Sequence, residues 1–135
     1  MLIDCLPSFG FLNMAALNAA DSVLIPVKPS PFALLGLKDL FSTIDKSKKW
    51  INPHLEVLGI VLNLVEGRET TMAKELEEVM REKYSSIVFE TKISKTVKVE
   101  ESPAFNQSVM EYQPKSKIAA QFDRLIDEIL ARVGQ

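Results

Sequence analysis

Three segments of the chain are nearly continuous runs of apolar residues: 22–27, 57–65 and the shorter 87–89. Runs of this kind are typical of strands covered on both faces, as in parallel α/β sheets, whereas strands with one wet face alternate apolar and polar residues. A fourth short run occupies residues 2–5. The pattern therefore predicts four strands in a mostly parallel sheet.

Helical signals fill the gaps between these runs. An alanine-rich helix is predicted over 13–20, and Ser30-Pro31 predicts an N-cap followed by proline at the first helical position. That helix is expected to run to about Trp50, where Asn52-Pro53 breaks the chain. Alternating strands and helices of this length predict right-handed βαβ units, and residues 1–135 are expected to form one α/β domain with helices flanking the sheet.

Two later helices carry apolar stripes. Thr70 or Thr71 is expected to cap the first of them, and Ser116 the second. The stripes are predicted to face the core because their members recur at helical spacing. They consist of Met72, Leu76, Val79 and Met80 in the first helix, and of Ile118, Ala119, Phe122, Leu125, Ile126, Ile129, Leu130 and Val133 in the second.

Composition and charge narrow the class of protein. The chain is 47% hydrophobic and 25% charged, with a net charge of -2, so no global basic field indicates a polyanionic partner. One cysteine excludes an internal disulfide and, with one histidine, disfavours a structural zinc site. No apolar stretch reaches the roughly 20 residues of a membrane span. A cytoplasmic protein without a membrane partner is expected.

The first apolar run delivers Asp4, and Pro7-Ser8-Phe9-Gly10 follows. A hydrophobic strand that ends in an aspartate before a turn is how P-loop NTPases place the Walker B carboxylate that holds Mg²⁺ beside a nucleotide. Yet the chain has no G-x-x-x-x-G-K-S/T phosphate loop, since none of its five glycines precedes Lys-Ser or Lys-Thr. The sequence therefore shows half of a nucleotide site. An aspartate that merely caps a turn is the alternative.

Several blocks together resemble ParA-type partition ATPases, the P-loop relatives of MinD. The chain departs from that pattern at Leu6, where the family usually has proline, and at Ser94, where an Ile-Pro pair is usual. The blocks occur in the family's order and cover nearly the whole chain: Leu2–Gly10, Asn18–Val27, Leu35–Leu37, Asn52-Pro53, Leu58–Leu62 with Gly67-Arg68, Val88–Ile93 and Tyr112–Lys117.

This resemblance implies an ATPase that dimerises around ATP and Mg²⁺, binds DNA nonspecifically and is stimulated by a centromere-binding ParB-type protein. It also implies that the P-loop precedes the Walker B strand. The chain is then expected to be the carboxyl-terminal half of such a protein, a partial P-loop NTPase fold that is not catalytic alone, located in the cytoplasm or at the nucleoid. The alternative is a non-catalytic interaction module that pairs with a full-length ParA-type protein, a ParB-type protein or DNA.

The resemblance also implies roles for particular residues. Asp4 is the expected Mg²⁺ ligand. Asn63 ends the long buried strand and resembles the base-contacting asparagine of the MinD branch; an amide that satisfies its own turn is the alternative. Both side chains fall where α/β proteins bind ligands, at the carboxyl ends of strands.

Four cations are candidates for DNA contact: Arg68, Lys92, Lys95 and Lys98. Cationic side chains neutralise phosphates without reading sequence, and the resemblance places basic residues in these loops. The alternative is a solvated surface of mixed charge, because glutamates lie close by in the sequence. Two further features have simple structural explanations: the helix dipole accounts for the basic cluster Lys46-Ser47-Lys48-Lys49, and core packing accounts for the last helix better than membrane binding.

Overall fold

A computed structural model describes residues 1–5, 10–66 and 70–134. Short helices fill the stretch between the last strand and the final long helix. In chain order the elements are α1 (Phe11–Ala19), β1 (Ser22–Val27), α2 (Pro31–Trp50), β2 (Glu56–Val65), α3 (Thr71–Lys83), β3 (Val88–Ser94), α4 (Val97–Glu101), a 3₁₀ turn (Ser102–Phe105), α5 (Val109–Tyr112) and α6 (Lys117–Val133).

The three strands form a parallel sheet in the order β1-β2-β3. The predicted fold class, α/β with a parallel sheet flanked by helices, is confirmed. β2 is the central strand, and its continuous apolar run reflects cover on both faces. Ile60 and Leu62 belong to one core cluster with Leu37, Ile44 and residues of β1, whereas Val61 belongs to a second cluster with residues of β3 and α6.

The predicted helix boundaries agree with the structure at most ends. Helix α2 begins at Pro31 and ends at Trp50, although the Ser30 side chain makes no capping hydrogen bond. The Thr70 hydroxyl accepts from the Ala73 N–H at 3.2 Å, and the Ser116 hydroxyl accepts from the Ala119 N–H at 3.3 Å. These two caps satisfy amide groups that have no partner inside the helix.

The predicted strand at residues 2–5 is wrong. Residues 1–5 form no strand, and Met1 and Leu2 are almost completely exposed. A strand persists only when neighbouring backbone groups accept and donate its hydrogen bonds. No described strand pairs with this segment, so its apolar composition alone does not order it into the sheet.

The apolar stripes of α3 and α6 are broader than the surfaces these helices bury. Ile118, Ala119 and Leu125 are buried, but Leu130 and Val133 are each 63% exposed, and in α3 Met80 is buried while Met72 and Val79 are exposed. The second core cluster reaches only as far as Ile129 along α6. The pattern located both helices correctly and overestimated how much of each faces the core.

Polar side chains of α6 hold it against the sheet. The Glu128 carboxylate accepts from the Glu90 N–H at 3.0 Å, from the Thr91 N–H at 2.9 Å and from the Thr91 hydroxyl. One turn further, the Arg132 guanidinium donates to the carbonyls of Leu58, Ile87 and Val88 at 3.0, 3.0 and 3.2 Å. These contacts fix α6 to the backbone of β2 and β3.

Gly59 makes room for this arrangement. Its φ is +155°, and a Cβ atom built there would lie 2.5 Å from the Ile87 carbonyl oxygen, from the Phe89 ring and from the Arg132 guanidinium. The guanidinium itself stacks over the Phe89 ring, 3.8 Å from its centroid. The residue at position 59 must therefore lack a side chain for the helix to dock as it does.

The short helices between β3 and α6 were absent from the predicted elements. Ser108 and Glu111 form a capping box at the start of α5, and hydrogen bonds from the Ser108 N–H and hydroxyl lower the pKa of Glu111. The Phe105 and Tyr112 rings stack at 5.0 Å. Helices of four or five residues lack the repeated apolar spacing that reveals longer ones.

Candidate functional site

The carboxyl ends of the three strands lie at one edge of the sheet because all three are parallel. This edge is where open α/β sheets bind ligands. The chain leaves β1 into Lys28 and Pro29, β2 into Glu66, and β3 into Lys95. The Lys95 N–H donates to the Val65 carbonyl at 2.8 Å, which holds the ends of β2 and β3 together.

A groove of about 250 Å³ lies at this edge, between the loop after β1 and the start of α3. Its polar lining includes one cation, Lys28, and two carboxylates, Glu66 and Glu77. Pockets that enclose a complete small ligand usually measure about 300–1,000 Å³. The strand-edge groove can therefore hold one planar or compact part of a ligand rather than the whole of a nucleotide.

Asn63 lies beside the strand-edge groove, next to Leu64, which lines it. The Asn63 Oδ1 accepts from the Leu64 N–H at 2.8 Å, and Leu64 has a φ of 54°. The side-chain carbonyl thus supports a left-handed backbone turn, which is the alternative that the sequence left open. The Nδ2 group donates to no described residue and keeps its capacity to donate to a ligand.

Asp4 lies elsewhere. It is exposed and borders a shallow depression along α1 that shares no lining residue with the strand-edge groove. Among residues 1–5, 10–66 and 70–134, no group of three or more histidine, cysteine or acidic side chains could hold a metal ion. One exposed carboxylate supplies a single ligand, so the described residues alone do not fit a complete Mg²⁺ site.

Lys92 is engaged in an ion pair inside the strand-edge region. Its Nζ lies 2.8 Å from Glu77 Oε2, and Glu77 Oε1 lies 2.8 Å from Arg81 Nε. Partial burial by itself raises the pKa of Glu77, but the hydrogen bonds and charges of Lys92 and Arg81 outweigh burial and lower it. This network competes with any phosphate for the Lys92 ammonium group.

Lys95 and Lys98 follow β3 at the same edge of the sheet. The Lys95 ammonium lies 3.8 Å from Glu66 Oε1 in an exposed pair, which stabilises little. Lys98 is half-buried at the start of α4, where its N–H donates to Thr96 Oγ1 at 3.3 Å. Arg68 lies outside the described residues. The structure thus gives the four cations different surroundings rather than one basic face.

The sequence gave no warning of two residues that shape this part of the molecule. Glu77 connects α3 to β3, and its i, i+4 spacing with Arg81 was the available signal. Asn52 was interpreted only as a break, but its Nδ2 donates to the carbonyls of Leu17 and Ala20 at 3.0 and 2.8 Å. That pair of bonds joins the end of α1 to the end of α2.

Comparison with known proteins relates the chain to a group of ATPases. A protein-family model described as an AAA domain matches residues 1–57. The chromosome-partitioning ATPase Soj of Thermus thermophilus is 35% identical over 135 residues, which is 100% of this chain and 54% of that protein. The chromosome partitioning protein ParA of Myxococcus xanthus is 39% identical over 132 residues, covering 98% of this chain and 46% of that protein. The chain spans about half the length of these curated relatives.

Solved structures with the same fold include two ATP-related proteins. The cell division ATPase MinD of Pyrococcus furiosus superposes with a TM-score of 0.71 at 22% identity, over 93% of this chain and 49% of that one. Cobyrinic acid a,c-diamide synthase of Mycobacterium smegmatis, with a bound ATP analogue and magnesium, gives a TM-score of 0.60 at 30% identity, over 69% and 38%. Within the described part of the chain, none of the helices has the length and apolar character needed to cross a membrane.

Proposed function

Because the chain belongs to the ParA-type family of partition ATPases, we propose that it works in chromosome or plasmid partitioning as part of an ATP- and Mg²⁺-dependent assembly. The similarity to named partitioning proteins along essentially its whole length carries this proposal. The parallel sheet supports it, since its strand ends create the kind of edge at which such proteins bind nucleotides.

Within that assembly we assign the chain the strand-edge portion of a nucleotide site. Asn63 Nδ2 would donate to an acceptor on the base, with the strand-edge groove beside it. Asp4 would supply one carboxylate to Mg²⁺, a hard cation that commonly takes one or two carboxylates and completes its shell with phosphates and water. When bound, the metal neutralises charge that develops on the transferring phosphate.

The same chain is proposed not to hydrolyse ATP by itself. Backbone N–H groups and a lysine of the phosphate loop provide most of the electrostatic stabilisation in P-loop phosphoryl transfer, and no G-x-x-x-x-G-K-S/T loop occurs in the sequence. Titration with ATP and magnesium, followed by a phosphate-release assay, tests this. We expect no turnover above the protein-free rate. Micromolar binding with magnesium-dependent hydrolysis would refute the proposal.

A second candidate function is an interaction module without catalysis. Exposed apolar side chains near the amino terminus favour it, since Met1, Leu2, Phe11 and Leu12 are all more than 60% exposed. The partners we propose are a second copy of the chain, a full-length ParA-type protein or a ParB-type protein. Light scattering after gel filtration, alone and with Myxococcus xanthus ParA, measures this. A monomer that elutes separately from that protein would count against the module.

Nonspecific DNA binding is proposed for the loop after β3, with Lys95 and Lys98 as its described cations and Arg68 as a further candidate. The exposed Lys95–Glu66 pair is weak enough to open in favour of a phosphate. The double variant Lys95→Glu, Lys98→Glu should weaken binding to duplex DNA and flatten its salt dependence by about 2 charges. A variant of the distant, exposed Lys115→Glu serves as the control, and equal losses in both would contradict the assignment.

A further inference from the structure

A second groove lies between the later part of α2 and the end of α3. It is open, measures about 500 Å³ and shares no lining residue with the strand-edge groove. Four lysines line it: Lys38, Lys46 and Lys49 from α2, and Lys83 from α3. A single carboxylate, Asp45, lies among them. We call this feature the lysine groove.

The lysine groove carries positive charge that the described residues do not neutralise. Its four lysines are exposed, and none pairs with a described carboxylate, unlike the lysines in and after β3. Lys49 Nζ lies 4.9 Å from the centroid of the Trp50 ring, and Lys83 Nζ lies 5.4 Å from that of Tyr84. On a chain whose net charge is -2, this is a local concentration of opposite sign.

The helix dipole explains only part of the cluster. Its effect fades beyond the last turn, which contains Lys49 in α2 and Lys83 in α3. Lys38 lies near the middle of α2, eleven residues before Lys49, so the dipole gives no reason for a cation there. The convergence of lysines from two helices on one groove calls for a different explanation.

Apolar surface separates these cations. Phe41 and Tyr84 are half-buried and stack with their centroids 5.3 Å apart and their planes inclined by 17°. Both rings line the groove. A ligand that fits must therefore combine negative charge with at least one apolar group.

We propose that the lysine groove binds an acidic peptide segment that carries an apolar side chain. Carboxylates of the segment pair with the lysines, and the apolar side chain contacts the Phe41–Tyr84 stack. Asp45 accepts an N–H from the peptide. A phosphodiester backbone brings only acceptors to Asp45 and would repel it, so the lining favours peptide over nucleic acid. This inference is independent of the proposed nucleotide site.

Fluorescence anisotropy with three labelled probes tests it on the intact chain. The first probe is a short glutamate-rich peptide with one leucine, the second has glutamine in place of every glutamate, and the third is a short DNA duplex. We expect saturable binding of the first probe only. The variant Lys46→Glu, Lys49→Glu should weaken that binding at least about tenfold, which corresponds to about 1.4 kcal/mol.

The matched control reverses two exposed lysines outside the groove, Lys74→Glu and Lys115→Glu, and should leave the affinity within about twofold. Equal losses in both variants, or no saturable peptide binding, would overturn the proposal. Tighter binding of the duplex that only the groove variant abolishes would assign the groove to nucleic acid instead. Circular dichroism shows whether each variant is folded, and Lys38→Gln, Lys83→Gln provides a milder second test.

Discussion

The two ends of this chain meet the sheet in opposite ways. At the carboxyl-terminal end, α6 buries apolar residues against β3 and bonds to its backbone through Glu128 and Arg132. At the amino-terminal end, residues 1–5 pair with no described strand, and no residue of α1 is buried. We refer to β3 with α6 as the closed side, and to residues 1–5, α1 and β1 as the open side.

This difference shows that apolar sequence alone does not order a segment. Residues 1–5 and α1 are as hydrophobic as many core segments, yet Leu2 is 99% and Phe11 86% exposed. The closed side combines apolar contact with polar groups that satisfy the sheet backbone, and a buried backbone group without a partner is costly. Where such partners occur, the helix has one position.

Replacing Gly59 with alanine should break the closed side most severely. The added Cβ meets backbone and ring atoms, and the positive φ disfavours any side chain, so we expect a loss of about 3 kcal/mol or more in the free energy of unfolding. Urea denaturation measures it. Gly36→Ala is the matched control: no atom lies within 4 Å of its Cβ position in α2, and a gain of about 0.5–1 kcal/mol is expected.

Arg132→Met should have the next largest effect. The change keeps much of the side-chain volume but removes donors to three carbonyls and the contact with the Phe89 ring. We expect about 2 kcal/mol of destabilisation in urea. Arg124→Met, whose Nε donates only to a carbonyl of its own helix, should change stability by less than about 0.5 kcal/mol. Similar values for both would remove the anchoring role of Arg132.

Glu77→Gln should reveal a smaller, pH-dependent contribution. Since Lys92 and Arg81 lower the pKa of Glu77 below its ordinary value of 4.5, the ionised network stabilises the fold above about pH 4.5. That contribution disappears as the pH falls through the folded-state pKa. We expect the variant to be about 0.5–1 kcal/mol less stable at pH 7 and equal to the native chain at low pH.

The measurement is urea denaturation across pH 3–7. Glu75→Gln, on an exposed position of the same helix, is the control and should stay within about 0.5 kcal/mol of the native chain. A stability difference for Glu77→Gln that grows as the pH falls would have the wrong sign for this network.

Phe11→Ser should have the smallest effect, below about 0.5 kcal/mol, because the ring is already exposed. The same substitution on the closed side, Phe122→Ser, should cost about 2 kcal/mol or more, since that ring packs against the second core cluster. Thermal denaturation compares the two. Equal costs would mean that the open side is packed as firmly as the closed one.

The sequence predicted the backbone of the fold better than its connections. The apolar runs located all three strands and the caps Thr70 and Ser116 because both signals are local. Hydrophobic periodicity could not show that Glu128 and Arg132, on the polar positions of α6, fasten that helix. Their partners are backbone atoms that lie at least 37 residues away in the chain.

The candidate site was predictable to a similar degree. Continuous apolar runs imply parallel strands, so the position of Asn63 at a ligand-binding edge followed from the pattern. The capture of Lys92 by Glu77 did not follow, because it depends on how α3 packs beside β3. Asp4 could be recognised by motif only, and its distance from Asn63 in the structure depends on contacts that residues 1–5 do not make with the described sheet.

Hydrogen–deuterium exchange on the intact chain tests the central claim, that the closed side is ordered by backbone-satisfying contacts and the open side is not. We predict slow exchange in β2, β3 and α6, with amides of residues 1–5 and α1 exchanging orders of magnitude faster. In Glu128→Ala, protection should fall in β3 first. Uniform protection from α1 to α6 would contradict the account.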